Sequence, residues 1–342
     1  MIDLFEQLIV LNPWTMAIAI ILGFVLLIYG ADWLVNGSSA LAQRFGVSPL
    51  VIGLTVVAFG TSMPEFIVST IAAVENNTEI AITNILGSNA LNTFIILGIT
   101  ALIYPVASQR SSRVFDIPVS LIAGLMVFFF VTYSPPAEWS WHDFGSFSLD
   151  AGEITMWGGI ILLAVFVVFM GHSFYFAKKN SVETGEIQTL PLPVWKMLLL
   201  ICVGLAGLIL GGELVVRGAT GVAHTLGVSD AVIGLTVVAL GTSLPELATS
   251  CVAAAKHNCD LALGNVFGSN IFNVFFILGV GAVIHPLPAY PGLWLDAAMV
   301  VLSSLLVWLF VGTTKKHEIK RWHGAILILV YAAYLIYRLT CL

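Results

Sequence analysis

VIGLTVVAFGTSMPE occupies residues 51–65, and VIGLTVVALGTSLPE occupies residues 232–246. The match extends on both sides, without a gap and at a constant offset of 181, to residues 30–105 and 211–286. It holds 37 identities in 76 positions. Two unrelated apolar segments match at far fewer positions, so the chain carries an internal duplication. Each copy has a proline in the middle of its apolar stretch, followed at once by a glutamate: Pro64-Glu65 and Pro245-Glu246.

The rest of the chain says where such a segment must sit. Of 342 residues, 59% are hydrophobic and 9% are charged, and the mean hydropathy is +1.01. Soluble domains run about 45–50% apolar and about 25% charged. A soluble enzyme and a disordered chain are excluded. With 13 Lys plus Arg against 19 Asp plus Glu, there is no basic surplus to hold a nucleic acid. A membrane helix needs about 20 apolar residues. Ten candidates run roughly over 15–42, 47–74, 79–104, 114–133, 154–177, 195–223, 228–255, 260–285, 290–312 and 321–340. The longest connections, 134–153 and 178–194, are too short to fold as domains. The start of the chain carries Asp3 and Glu6 and no basic n-region, unlike a cleaved signal peptide.

With the N-terminus outside, eleven basic residues fall in cytoplasmic loops and Arg338 alone falls opposite; Arg217 lies within a span. That asymmetry satisfies the positive-inside rule and puts both termini outside. Each copy of the duplication then has five spans, and an odd number reverses the second copy. The expected fold is an all-α membrane protein of ten helices in two inverted-topology repeats of five. Its parts are an N-terminal segment 1–14, a first repeat 15–177, a cytoplasmic linker 178–194 and a second repeat 195–342.

Inverted repeats bind their substrate near the midplane, where helices are broken. Proline removes a helical N–H and clashes with the carbonyl four residues back, here that of Gly60 or Gly241. Freed backbone oxygens at that depth must line a cavity or hold something. Thr61, Ser62 and Glu65 stand beside one break, and Thr242, Ser243 and Glu246 beside the other. On the following spans Asn84, Ser88 and Asn92, and again Asn265, Ser269 and Asn273, are four apart and share a face. Gly87 and Gly268 are expected to allow close helix approach. This inventory of hard oxygens, without Cys or His, suits Ca²⁺, Na⁺ or Mg²⁺ rather than zinc or copper. No Lys or Arg lies in these span interiors to neutralise the glutamates.

The two Gly-Thr-Ser-x-Pro-Glu motifs and the two Gly-Ser-Asn-x-x-Asn motifs resemble the paired alpha repeats of the cation/calcium antiporter superfamily, and within it the sodium/calcium exchanger family. The resemblance implies that Glu65 and Glu246 are shared by calcium and sodium. It implies that Thr61, Ser62, Ser88, Thr242, Ser243 and Ser269, with the carbonyls of Ala58 and Ala239, supply oxygens mostly to sodium. Asn92 and Asn273 match the side-chain positions on the third and eighth spans. It also implies that the long first and sixth spans slide across the rest to switch access. Some members carry Asp where this chain has Asn273, which favours potassium independence here and leaves two acids at the centre. Proton-coupled members also use two Glu with neutral partners, so calcium/proton exchange is the alternative to calcium/sodium exchange. The chain lacks the large regulatory loop of some animal exchangers, which fits a prokaryotic inner membrane.

One Ca²⁺, two Na⁺ or two protons each neutralise two carboxylates, so these ions compete for one pair, as antiport requires. A third Na⁺ would make transport electrogenic. Small cations and the lipid bilayer are the expected partners, with no cofactor and no obligatory protein partner. A channel could use the same oxygens, but two mid-helix breaks in an inverted repeat favour alternating access. An intramembrane enzyme finds no support: there is no HExxH and no GxSxG.

The remaining polar residues have blander readings. Asn84 and Asn265 can serve helix contacts or the site, and Asn89 and Asn270 point about 100° away from Ser88 and Ser269. Asp32 and Glu213 are repeat mates read as rim charges or gating groups, with Arg217 one turn beyond Glu213. Asp116 and Asp296 are expected to cap spans or be solvated. The histidines are expected in solvated or capping places without forming a metal set. The Lys315 to Arg321 cluster reads as a cytoplasmic flank, and Trp14, Trp195 and Trp322 as interface anchors.

Overall fold

A computed structural model describes residues 13–134, 146–147, 149, 152–179, 192–227 and 239–341. Most of the N-terminal segment, most of the 178–194 linker, His142 and the first part of the seventh expected span lie outside the described residues. Within them the chain is helical apart from two-residue strand pairs. Among the described residues, seven helices are long and apolar enough to cross a membrane, and one bent pair passes the same test together.

The helices are α1 (Pro13–Phe45), α2a (Pro49–Thr61), α2b (Met63–Val74), α3 (Thr78–Ile103), α4 (Ser112–Thr132), α5 (Met156–Lys179), α6 (Val194–Thr225), α7a (Ala239–Thr242), α7b (Leu244–Ala255), α8 (Cys259–Ile284), α9 (Leu293–Thr313) and α10 (Arg321–Cys341). The second expected span is the bent pair α2a and α2b, with a 50° change of direction at Ser62. Pro64 falls within the first two positions of α2b, where its missing N–H costs nothing. The bend is therefore a helix end and a new helix start rather than a kink within one ladder.

α1 and α6 are 33 and 32 residues long, about 50 Å at 1.5 Å per residue. They pack along their length. Glycine recurs every seventh residue on both, at Gly23, Gly30 and Gly37 and at their repeat mates Gly204, Gly211 and Gly218. A period of seven keeps the glycines on one face. A Cβ added to Gly23 would lie 2.7 Å from the Gly211 carbonyl, and one on Gly30 would lie 2.9 Å from the Gly204 carbonyl. Numbers rise on one helix as they fall on the other, so the two run antiparallel with backbones in contact. The other faces of α1, with Ile18, Ile21, Leu22 and Ile28, are exposed, as a lipid-facing surface is.

The ends of the two halves cross over. α10 packs on the end of α3, where a Cβ on Gly324 would lie 2.5 Å from the Gly98 carbonyl. α5 packs on the end of α8, where a Cβ on Gly159 would lie 2.7 Å from the Gly279 carbonyl. Val106–Ala107 pairs antiparallel with Glu318–Ile319, and Glu153–Ile154 with Leu287–Pro288. α4 lies against α9, with Ser120 and Ser304 hydroxyls 3.1 Å apart and Gly124 under Val300 and Val301. The buried core centres on α3 and α8, whose Phe94, Phe267 and Phe275 are fully enclosed.

Several expectations need correction. Gly268 is pressed against Leu54 and Ala58 of α2a, but nothing lies within 4 Å of a Cβ on Gly87, so only one of the pair is a close-approach glycine. Asp116 and Asp296 are 4% and 6% exposed, neither solvated. Asp296 accepts from Tyr334, Tyr290 and Arg338. His323 is 1% exposed and accepts the Lys320 backbone N–H at 3.0 Å. These polar groups fall on packed helix faces, which hydropathy alone does not resolve.

Candidate cation site

The break at Ser62 puts Glu65 in the first turn of α2b, and Glu246 holds the same place in α7b. A carboxylate there faces the positive end of the helix dipole. Both glutamates are wholly buried. No Lys or Arg forms an ion pair with either of them among the described residues.

One oxygen of each carboxylate is fully engaged. Glu65 Oε1 accepts from Ser88 Oγ at 3.1 Å and Ser243 Oγ at 3.2 Å. Glu246 Oε1 accepts from Ser62 Oγ at 2.9 Å and Ser269 Oγ at 3.4 Å. Each glutamate thus takes one hydroxyl from its own half and one from the other. Ser88 and Ser243 also touch each other at 3.0 Å. Thr61 Oγ1 lies 3.1 Å from Asn265 Oδ1, across the halves, and 3.4 Å from the Ala58 carbonyl. That carbonyl also accepts the Ser62 N–H at 3.0 Å. Thr242 and Ala239 form the short α7a just before this centre.

The asparagines are arranged with equal regularity. Asn92 Nδ2 donates to Asn270 Oδ1 at 3.1 Å, and Asn273 Nδ2 donates to Asn89 Oδ1 at 2.9 Å and to Ser88 Oγ at 3.4 Å. Asn270 Nδ2 donates to Thr93 Oγ1 at 2.8 Å, and Asn89 Nδ2 to the Asn270 carbonyl at 3.1 Å. Their amide N–H groups are spent on one another. Four buried oxygens are then left with no hydrogen-bond donor: Glu65 Oε2, Glu246 Oε2, Asn92 Oδ1 and Asn273 Oδ1. A buried acceptor without a donor costs about 1–3 kcal/mol, and more when charged. Two of these atoms come from each half, and a set of buried acceptors without donors has the chemistry of a hard-cation site.

Hydrogen bonds join Glu65, Ser88, Ser243 and Asn273, and through Asn89 and Asn270 also Asn92, in one network, and Glu246, Ser62 and Ser269 in a second, each drawing on both halves. Sequence reasoning undervalued Asn89 and Asn270. They are buried and hold the amides of Asn92 and Asn273, so that the free carbonyl oxygens are fixed. Their signal was present, since both belong to the duplicated Gly-Ser-Asn triplet. Asn84 and Asn265 hold the break itself. Asn84 donates to the Glu65 carbonyl at 3.4 Å and Ser69 at 2.9 Å, and Asn265 to the Glu246 carbonyl at 3.3 Å and Ser250 at 3.0 Å.

Away from this centre, Asp32 pairs with Lys256 of the α7b–α8 connection. Lys256 also donates to Asn36 Oδ1 at 2.6 Å, and Asn258 donates to Ser39 Oγ at 3.0 Å. The mates of Asp32 and Asn36 on α6 are Glu213 and Arg217, which pair along their own helix.

The model of the sodium/calcium exchanger protein family matches residues 15–175 and 196–340. The sodium/calcium exchanger MaX1 of Methanosarcina acetivorans is 32% identical over 339 residues, covering 93% of this chain and 96% of that protein. The inner membrane protein YrbG of Escherichia coli is 34% identical over 275 residues, 78% of this chain and 79% of that one. Among solved structures, the sodium-calcium exchanger NCX_Mj soaked with 10 mM Na⁺ and zero Ca²⁺ superposes with a TM-score of 0.79 at 34% identity, covering 95% of this chain and 99% of that one.

Proposed function

Because this chain belongs to the sodium/calcium exchanger family, a family of membrane cation antiporters and not of enzymes, we propose that it exchanges Ca²⁺ for Na⁺ by alternating access at the site between Glu65 and Glu246. The observation that carries this reading is the set of four buried oxygens without a donor. Two carboxylates inside a membrane cost several kcal/mol unless compensated. One Ca²⁺ removes that cost, and so do two Na⁺, so each loaded form crosses while the empty form does not. The hydroxyls of Thr61, Ser62, Ser88, Thr242, Ser243 and Ser269, with the Ala58 and Ala239 carbonyls, are the further oxygens that sodium ions would use.

The proposed architecture is two five-helix halves, 15–177 and 195–342, of opposite topology, with both termini outside. The antiparallel packing of α1 on its mate α6 supports it, as do the reciprocal hydrogen bonds across the centre. The Asp32–Lys256 and Ser39–Asn258 contacts hold α1 against the cytoplasmic end of α7b in this reading. They part when α1 and α6 slide. Removing the Glu65 charge by Glu65→Gln is the test. The variant is expected to elute and unfold like the wild type and to exchange no calcium in proteoliposomes. Exchange at the wild-type rate would overturn the site.

A further inference from the structure

The two halves differ sharply at one buried carboxylate. Asp296 lies in the first turn of α9, nine residues past Leu287, and Asp116 lies one turn into α4, ten residues past Val106, the mate of Leu287. Asp296 Oδ1 accepts from Tyr334 at 2.6 Å, and its Oδ2 accepts from Arg338 and Tyr290, each at 3.1 Å. Tyr334 and Arg338 both come from α10. The helix that takes its place beside α4 is α5. The two align at an offset of 165 from Glu153-Ile154 and Glu318-Ile319, through Trp157 and Trp322, Gly159 and Gly324, Leu162 and Leu327, and Val165 and Val330. On that alignment Tyr334 becomes Phe169 and Arg338 becomes Ser173. The hydroxyl is gone and the guanidinium is gone, while the aspartate remains.

The structure shows what this leaves. Asp116 is 4% exposed, and its Oδ2 has no hydrogen-bond partner. Beside it opens a cavity of about 410 Å³ lined by Asp116, Ser173, Ser111 and His172, with Arg110 among its exposed residues. Leu50, Val51, Leu54 and Val114 make up its apolar side. Val51 and Leu54 also line a second, apolar crevice of about 600 Å³ with Phe166, Met170 and Phe174. Val114 and Phe174 are 69% and 58% exposed, on the surface that the bilayer covers. A mainly apolar chamber thus holds a carboxylate short of a cationic donor, with an arginine at its rim, and shares Val51 and Leu54 with the apolar crevice.

We propose that this groove binds a phospholipid bearing a primary ammonium, such as phosphatidylethanolamine. The ammonium donates to Asp116 Oδ2 as Arg338 does to Asp296. The phosphate lies toward Arg110 and Ser111, and an acyl chain follows Leu54 into the crevice along α5. A quaternary choline headgroup has no N–H to give, and an anionic glycerol headgroup brings no cation to the carboxylate. The site therefore selects the amine.

The test is retention of lipid by the full chain. Protein is purified from vesicles of equal phosphatidylethanolamine, phosphatidylcholine and phosphatidylglycerol, and the retained lipid is identified by native mass spectrometry. Ethanolamine lipid should be enriched over choline lipid by about tenfold, the ratio one charge-assisted hydrogen bond supports. Asp116→Asn should bring the ratio to unity. Ser173→Arg, which rebuilds the partner present in the other half, should do the same while unfolding at or above the wild-type temperature. It carries the test if the first variant fails to fold. A wild-type ratio of unity, enrichment kept in Ser173→Arg, or preferential retention of the glycerol lipid would each overturn the assignment.

Discussion

Asn273 shows how little of the site is a matter of charge alone. Its amide is held by Asn89 and Ser88, and only then is its oxygen left facing inward without a donor. Asn89→Ala should keep every candidate ligand and still weaken calcium binding. The loss of one buried hydrogen bond is worth about 1–3 kcal/mol, roughly tenfold in apparent affinity by flux titration. An unchanged affinity would mean that the Asn89 contact does not position the oxygen. The duplicated Gly-Thr-Ser-x-Pro-Glu and Gly-Ser-Asn motifs made the glutamates, serines and outer asparagines legible from sequence. Asn89 and Asn270 were marked only by their place in that triplet and not by their role, because helical spacing tells which residues share a face but not that two helices approach closely enough to interlock both faces. The full pairing of Asp296 was likewise invisible, since Arg338 lies 42 residues away on a helix whose neighbour depends on the crossover of the halves.

Among the elements, α1 and α6 carry the clearest mechanical signature. Their glycine faces leave backbone against backbone, so Gly30→Val must push the helices apart. Overpacking of this kind costs about 1–3 kcal/mol, and a lowered unfolding temperature in detergent is the expected reading. Gly87→Ala meets nothing and should leave that temperature unchanged or raise it, since alanine is the better helix former by about 1 kcal/mol. Equal effects of the two would contradict the packing described for α1. The tie between Asp32 and Lys256 is partly exposed, and such pairs are worth about 0–1 kcal/mol. Lys256→Glu should therefore change the exchange rate by no more than about fivefold, and Asp32→Lys in the same chain should restore it. Span positions followed from hydropathy. The 50° turn at Ser62 was foreshadowed by Pro64, but whether a proline bends a helix or ends it depends on the packing around Ser62, which hydropathy does not report.

For the whole molecule, the duplication fixes the logic: two half-sites, each unable to satisfy its own glutamate, share hydroxyls across the centre. In the proposed exchange calcium and sodium compete for this one pair of carboxylates, and a third sodium ion makes the exchange electrogenic. Calcium uptake into proteoliposomes loaded with sodium, with potassium and valinomycin setting the voltage, tests this alongside a parallel set carrying only a pH gradient. Uptake driven by outward sodium, and faster when the sodium-loaded interior is made positive, is the expected result, and it means more than two sodium ions leave per calcium. Uptake driven by the pH gradient alone would contradict sodium coupling and reassign the serine and threonine oxygens to a site that trades calcium for protons.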